Sequence, residues 1–114
     1  MTSPITTHVL DTACGAPAAG VRVTLDLESA PGTWTRAGGG TTDGAGRTQA
    51  LLHEGTLTAG PYRLVFEVGA YFESRGVEAF WPQVTVAFLV RDVHAHYHVP
   101  LLVSPFGYST YRGS

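Results

Sequence analysis

The 114-residue sequence predicts an all-β fold, a sandwich or a barrel, on three observations. Fourteen glycines and seven prolines break the chain at short intervals. The runs between them are rich in Val, Thr, Leu, Phe and Tyr, which suit a pleated, half-buried surface. Several runs alternate with period two, so that one face of each strand meets a core and the other meets water. A single domain over residues 1–114 is large enough to fold without metals or disulfides.

The first run, residues 4–11, sets Ile5, Thr7 and Val9 against Thr6, His8 and Leu10, and ends in a Gly/Pro/Ala-rich loop at 13–20. Residues 21–28 alternate Val21, Val23, Leu25 and Leu27 with Arg22, Thr24, Asp26 and Glu28, the first set facing the core and the second facing water. Pro31-Gly32 is a turn, followed by a short strand at 33–36 around Trp34 that dissolves into Gly38-Gly39-Gly40. A tight turn at 42–46 delivers Arg47 to the start of an extended piece, 48–52. Gly60-Pro61 opens a strand that runs to Val68 and is closed by Gly69. Residues 70–78 are the one plausible helix, two turns at most, limited by Gly76 and Pro82. Strands follow at 84–90 and 95–103, where Pro100 implies an edge or a bulge. A turn at 104–107 leads to a last strand at 108–112.

Composition narrows the function. A net charge of −2 without a Lys/Arg cluster gives no electrostatic basis for binding nucleic acid. Cys14 is the only cysteine, so no intrachain disulfide forms and nothing points to an oxidising compartment. No basic segment followed by an apolar stretch opens the sequence, and no window approaches the roughly 20 apolar residues of a membrane span, so a cytoplasmic location without membrane contact is expected. Hydrophobic content of 44% against 14% charged residues leaves apolar surface to bury between subunits.

The residues that could carry chemistry are few. His94, His96 and His98 share one face if they lie on one strand, but three successive same-face positions span too far to converge on one ion, so no metal is expected. His98, amid apolar neighbours, is either a hydrogen-bonded structural histidine or a group facing a cleft, and His8 poses the same choice. Arg47 is either a surface arginine or an anion clamp. Cys14 has no basic residue near it in sequence to lower its pKa, no serine lies in a Gly-x-Ser-x-Gly elbow, and the glycine clusters lack phosphate-loop spacing.

Three stretches taken together resemble a known family. They are Thr7-His8-Val9-Leu10-Asp11 followed by Gly15-x-Pro17-Ala18, then Thr42-Asp43-x-x-Gly46-Arg47, and finally the run from His96-Tyr97-His98 through Tyr111-Arg112-Gly113-Ser114. The sequence is similar over its full length to the 5-hydroxyisourate hydrolases of the transthyretin-like family, and the terminal Tyr-Arg-Gly-Ser distinguishes these from hormone carriers of the same fold. The resemblance implies a two-sheet, eight-stranded sandwich with one short helix, assembled as a homotetramer, a dimer of dimers with sites at the dimer-dimer interface. It implies His8, Arg47, His98 and Ser114 as catalytic residues, with His8, Arg47, Tyr111 and Arg112 contacting the small-molecule substrate 5-hydroxyisourate, and no cofactor. Phe106 and His94 depart slightly from the family pattern. Two rivals are a non-catalytic carrier of a small aromatic ligand and a structural β-sandwich module. The first is disfavoured by the terminal tail and the His8, Arg47 and His98 set, and the second leaves that set unexplained.

Overall fold

The computed structural model describes residues 3–114, so the first two residues of the expected 1–114 domain lie outside it. The strands are β1 (Ile5–Asp11), β2 (Ala16–Pro17), β3 (Arg22–Ala30), β4 (Thr33–Thr41), β5 (Gly60–Phe66), β6 (Val84–Val90), β7 (Tyr97–Ser104) and β8 (Gly107–Thr110). One helix, α1 (Val68–Ser74), joins β5 to β6. The strands form two four-stranded sheets, ordered β2-β1-β7-β8 and β4-β3-β5-β6. The all-β, two-sheet, eight-stranded expectation is met.

Period-two patterning builds the core between these sheets. β1 turns Ile5, Thr7, Val9 and Asp11 inward, and β7 turns Tyr97, Val99, Leu101 and Val103 the same way. Val23, Leu25, Leu64 and Phe66 meet them from the other sheet, and α1 adds Val68, Tyr71 and Phe72. Each fully buried Leu, Ile, Val or Phe contributes about 1.5–3 kcal/mol relative to exposure. β1 and β7 pair in parallel, with Thr6 opposite His98 and His8 opposite Pro100. The opposite faces of the same two strands therefore carry Thr6, His8, Leu10, His98 and Leu102, all half-buried, onto one surface.

Several boundaries differ from the sequence reading, each for a physical reason. The glycine triplet does not end a strand, because β4 runs through it to Thr41. A Cβ at Gly38 would overlap the Leu51 carbonyl oxygen, so glycine lets the 48–52 segment cross the strand closely. That segment forms no strand: Leu51 and Leu52 are buried, and the Leu52 N–H donates to Ser3 Oγ at 3.1 Å. Gly38→Ala is accordingly expected to cost about 1–3 kcal/mol, read as a lower midpoint in urea unfolding; an unchanged midpoint contradicts the close crossing.

The helix starts and ends earlier than 70–78, taking in Val68 and Gly69, which the sequence assigned to a strand and its closing turn. Gly69 N–H donates to the Pro82 carbonyl, tying the helix start to the chain that enters β6. Asp26, expected in water, is only 8% exposed because Arg36 and Arg63 cover it with ion pairs of 3.3 and 2.9 Å. The loop at 13–20 contains β2, two residues paired with the end of β1. His94 lies in the turn before β7, so the three alternate histidines do not share a strand.

Pro100 is neither at an edge nor in a bulge, since β7 runs between β1 and β8. Its carbonyl accepts the Thr110 hydroxyl at 2.7 Å, which shows that its missing N–H also faces β8. There β8 stops at Thr110, and pairing resumes in the same register at His98↔Gly113.

Asp11 is a buried carboxylate at the end of β1, accepting the Tyr71 hydroxyl at 2.8 Å and the Ala13 N–H at 3.0 Å. Burial and this bond to Asp11 push the Tyr71 phenol up to about 12. Above pH 10 the unfolded phenol ionises while the folded one keeps its proton, so this contribution is lost as pH rises from about 10 to about 12. Tyr71→Phe is expected to cost about 1–3 kcal/mol at neutral pH by leaving Asp11 short of a donor. Urea titrations of both proteins across the alkaline range check this, the Phe variant losing less stability there.

Candidate active site

The site is built across the outer face of the β2-β1-β7-β8 sheet. Its first wall is the turn that ends β4's return. Asp43 accepts the backbone N–H groups of Ala45 at 2.9 Å and Arg47 at 3.1 Å, and the Gln49 amide at 2.7 Å. The two backbone bonds, from Arg47 and then Ala45, hold its carboxyl below the ordinary carboxylate value. Gly46 closes the turn at φ +77°, with its carbonyl accepting the Val9 N–H at 2.8 Å. A side chain there would meet the Val9 carbonyl and approach His8 Cδ2 at 3.3 Å. The turn thus lies against β1 as an extra short strand, and Arg47 bridges His8.

His8 is oriented by the same turn, because its Nε2 lies 2.8 Å from the Ala45 carbonyl. A carbonyl only accepts, so Nε2 carries the hydrogen and Nδ1 holds the lone pair in the neutral ring. His98 is held the other way round, through Nδ1, which lies 2.8 Å from the Thr6 hydroxyl. Its free nitrogen is therefore Nε2. Burial depresses the His98 proton affinity below the usual imidazole value, and Arg47, His96 and His8 add to this. His98 is thereby kept neutral near pH 7, when a charged ring could not serve as a base or a relay.

Four backbone segments lie side by side across this face, namely the Gly46-Arg47 turn, β1, β7 and the chain end at Gly113. They bring His8, Arg47 and His98 onto one surface. Gly113 N–H donates to the His98 carbonyl at 2.8 Å, and a Cβ at Gly113 would stand 2.5 Å from His98 Cδ2. Ser114 follows directly and is exposed. Ser109 faces Leu102 across β7 and β8.

Tyr111 and Arg112 stand apart from these groups. With Phe88, Leu89, Tyr97 and Val99 they line a cavity of about 240 Å³ at the open edge between β6 and β8. Arg112 lies inward because its neighbour Gly113 pairs with His98 on the outer side. Its guanidinium sits 4.6 Å from the Tyr97 ring centre and donates to the His96 carbonyl at 3.3 Å, rather than pointing toward His8 and His98.

Thr6 was not singled out in the sequence. Its parity with His8 was visible, but its place opposite His98 depends on a parallel register that no local pattern encodes. Gly113 belongs to the tail motif, and the His98 ring, 2.5 Å from where its Cβ would stand, supplies the reason for glycine there.

The profile of the HIUase/Transthyretin family matches residues 5–113. The chain belongs to this family. A 5-hydroxyisourate hydrolase of Deinococcus radiodurans is 48% identical over 114 residues, covering 96% of this chain and 95% of that protein. Among solved structures, the 5-hydroxyisourate hydrolase of Klebsiella pneumoniae aligns with a TM-score of 0.83 at 37% identity, covering 96% of this chain and 98% of the other. Sea bream transthyretin in complex with thyroxine aligns with 0.91 at 34%, covering 96% and 94%. The same backbone therefore occurs in a hydrolase and in a thyroxine-bound protein, and side chains must separate the two.

Proposed function

We propose that the protein hydrolyses 5-hydroxyisourate to 2-oxo-4-hydroxy-4-carboxy-5-ureidoimidazoline, a step of urate breakdown. The observation that carries this reading is the opposed tethering of the two imidazoles. His8 is held through Nε2 and presents Nδ1, while His98 is held through Nδ1 and presents Nε2, with Arg47 beside His8. His8 Nδ1 takes a proton from water as the oxygen adds to a ring carbonyl. Arg47 steadies the oxyanion that develops. The carbon-nitrogen bond then breaks, its electron pair goes to the departing ring nitrogen, and His98 Nε2–H supplies the proton. Ser114 adds a substrate contact from the chain end, which Arg112 anchors through the Tyr97 ring and the His96 carbonyl, and no metal or cofactor takes part.

Two further parts of the reading concern assembly and location. The face carrying His8 and His98 also carries half-buried Leu10 and Leu102, and exposed Leu89, Tyr108 and Tyr111 lie along the unpaired edges of β6 and β8. Covering both surfaces makes a dimer of dimers, with the sites enclosed where dimers meet. Among the described residues no helix is long and apolar enough to cross a membrane. The cytoplasmic assignment rests on the single cysteine.

The test generates 5-hydroxyisourate from urate with uricase and follows the loss of its ultraviolet absorbance. The protein is expected to accelerate this decay, with or without a chelator. Decay at the buffer rate sinks the proposal, and light scattering that reports a monomer at assay concentration sinks the tetramer.

A further inference from the structure

The Thr6 hydroxyl touches two imidazoles at once. Oγ1 lies 2.8 Å from His98 Nδ1 and 2.9 Å from His96 Nε2. A hydroxyl has a single proton to give, so it donates to one ring and accepts from the other. Two arrangements are possible, and they differ by the shift of one proton along each bond. In one, His96 Nε2–H donates to Thr6, Thr6 donates to His98 Nδ1, and His98 carries its hydrogen on Nε2. In the other, every hydrogen points the opposite way. His96 is exposed at the entry to β7, so its Nδ1 is open to water, whereas His98 is half-buried.

We infer that Thr6 and His96 form a proton relay that recharges His98 during turnover, a role that rests on the hydrolase reading. As the ring nitrogen departs, it takes the hydrogen from His98 Nε2. His98 Nδ1 takes the Thr6 hydroxyl hydrogen, Thr6 Oγ1 takes the hydrogen from His96 Nε2, and His96 Nδ1 takes one from solvent. One proton passes from water to the leaving nitrogen, and no group in the line is left charged. The proton that His8 removed from the attacking water returns to solvent, and between turnovers the line resets as solvent gives a hydrogen to His98 Nε2 and takes one from His96 Nδ1. The cycle therefore consumes one water and forms the product's carboxylic acid, whose ionisation near pH 7 releases one proton.

The surroundings of His98 make such a line useful. Arg47, His8 and His96 all disfavour a positive charge on it, and burial does so more strongly. A lone imidazole would have to become an imidazolium before donating a proton, or an imidazolate afterwards. Simultaneous transfer at both ring nitrogens avoids both states. His96 and Thr6 act through His98 and are positioning and relay residues rather than groups that touch substrate.

Steady-state kinetics of four variants, with histidine nitrogen NMR on each, test the relay. Thr6→Val keeps the shape and removes the hydroxyl, and His96→Gln keeps an N–H donor that cannot pass a proton on. Each is expected to lower kcat by about ten-fold or more with KM within about two-fold, and the double variant to fall no further than the worse single one. Thr6→Ser should restore kcat to within about two-fold of the parent. In the NMR arm, Thr6→Val should shift the ring nitrogens of both His96 and His98. An unchanged kcat in His96→Gln, or unmoved His98 resonances in Thr6→Val, overturns the relay. A parent protein that does not accelerate 5-hydroxyisourate decay fails the hydrolase reading instead, and the NMR arm then decides the hydroxyl link by itself.

Discussion

Replacing Arg47 with Met is expected to lower kcat/KM for 5-hydroxyisourate by about 10²–10³-fold, the usual loss when a preorganised oxyanion partner is removed. The effect should be concentrated at the chemical step, because Arg47 sits on a turn fixed by Asp43 rather than on a mobile loop. The same substitution removes one of the charges that depress the His98 proton affinity. The sign follows directly. Only neutral His98 can work, and its lowered pKa keeps it neutral below the ordinary imidazole range near 6.5. Without Arg47 its pKa rises, so the acid limb of the rate profile moves to higher pH. Arg47→Lys retains the charge but not the planar fork, so its rate falls while the acid limb stays near the parent's. Initial rates across the acid and neutral range distinguish these outcomes, and a Met variant with the parent's kcat/KM would falsify the role.

Gly113→Ala is expected to lower kcat by about 10²-fold while the protein remains folded, since displacements of about 1 Å at a reacting group have effects of that size. The added methyl would stand 2.5 Å from His98 Cδ2, closer than any real contact, and it approaches the ring rather than a flexible chain end. The ring must turn, which breaks the 2.8 Å contact of Nδ1 with Thr6 and moves Nε2 away from substrate. Gly113 lies beyond β8 and packs against little else, so thermal unfolding should shift by only a few degrees. Parent-like kcat in a folded variant contradicts the packing of the chain end against His98. Large loss of stability contradicts it too.

The strand content was legible because alternation is a local property. Residues 84–90 match β6 residue for residue, and 4–11 differ from β1 at one end. What escaped depended on contacts between distant segments. Gly38-Gly39-Gly40 reads as a break until Leu51 crosses it, and Leu51 stands outside any local window. Pro100 reads as an edge because a proline usually needs a solvent-facing N–H side, yet here the neighbouring strand leaves a gap to suit it. Asp26 reads as solvated because its two arginines come from β4 and β5.

The site follows the same division. His8, Arg47 and His98 could be named from motif and residue type, and the structure lays them on one face. The tethers that give the two imidazoles opposite free nitrogens are a backbone carbonyl and a hydroxyl. Neither has a sequence signature, because a carbonyl is present at every residue and threonine is common in strands. Arg112 shows the converse: its charge marks it for an anionic or polar substrate, while the alternation of the chain end turns it toward Tyr97.

The parallel pairing of β1 with β7 also governs when during folding the protein can become active. Thr6 and His98 are separated by 92 positions in the chain, so their contact closes nearly the whole polypeptide into one loop. The sheet β4-β3-β5-β6 consists of antiparallel neighbours with shorter closures and holds Trp34 on β4. Contacts between distant segments pay their loop entropy late and form slowly. Refolding molecules will therefore acquire much of one sheet before the first and seventh strands meet, and catalytic competence marks the joining of the two ends rather than the onset of structure.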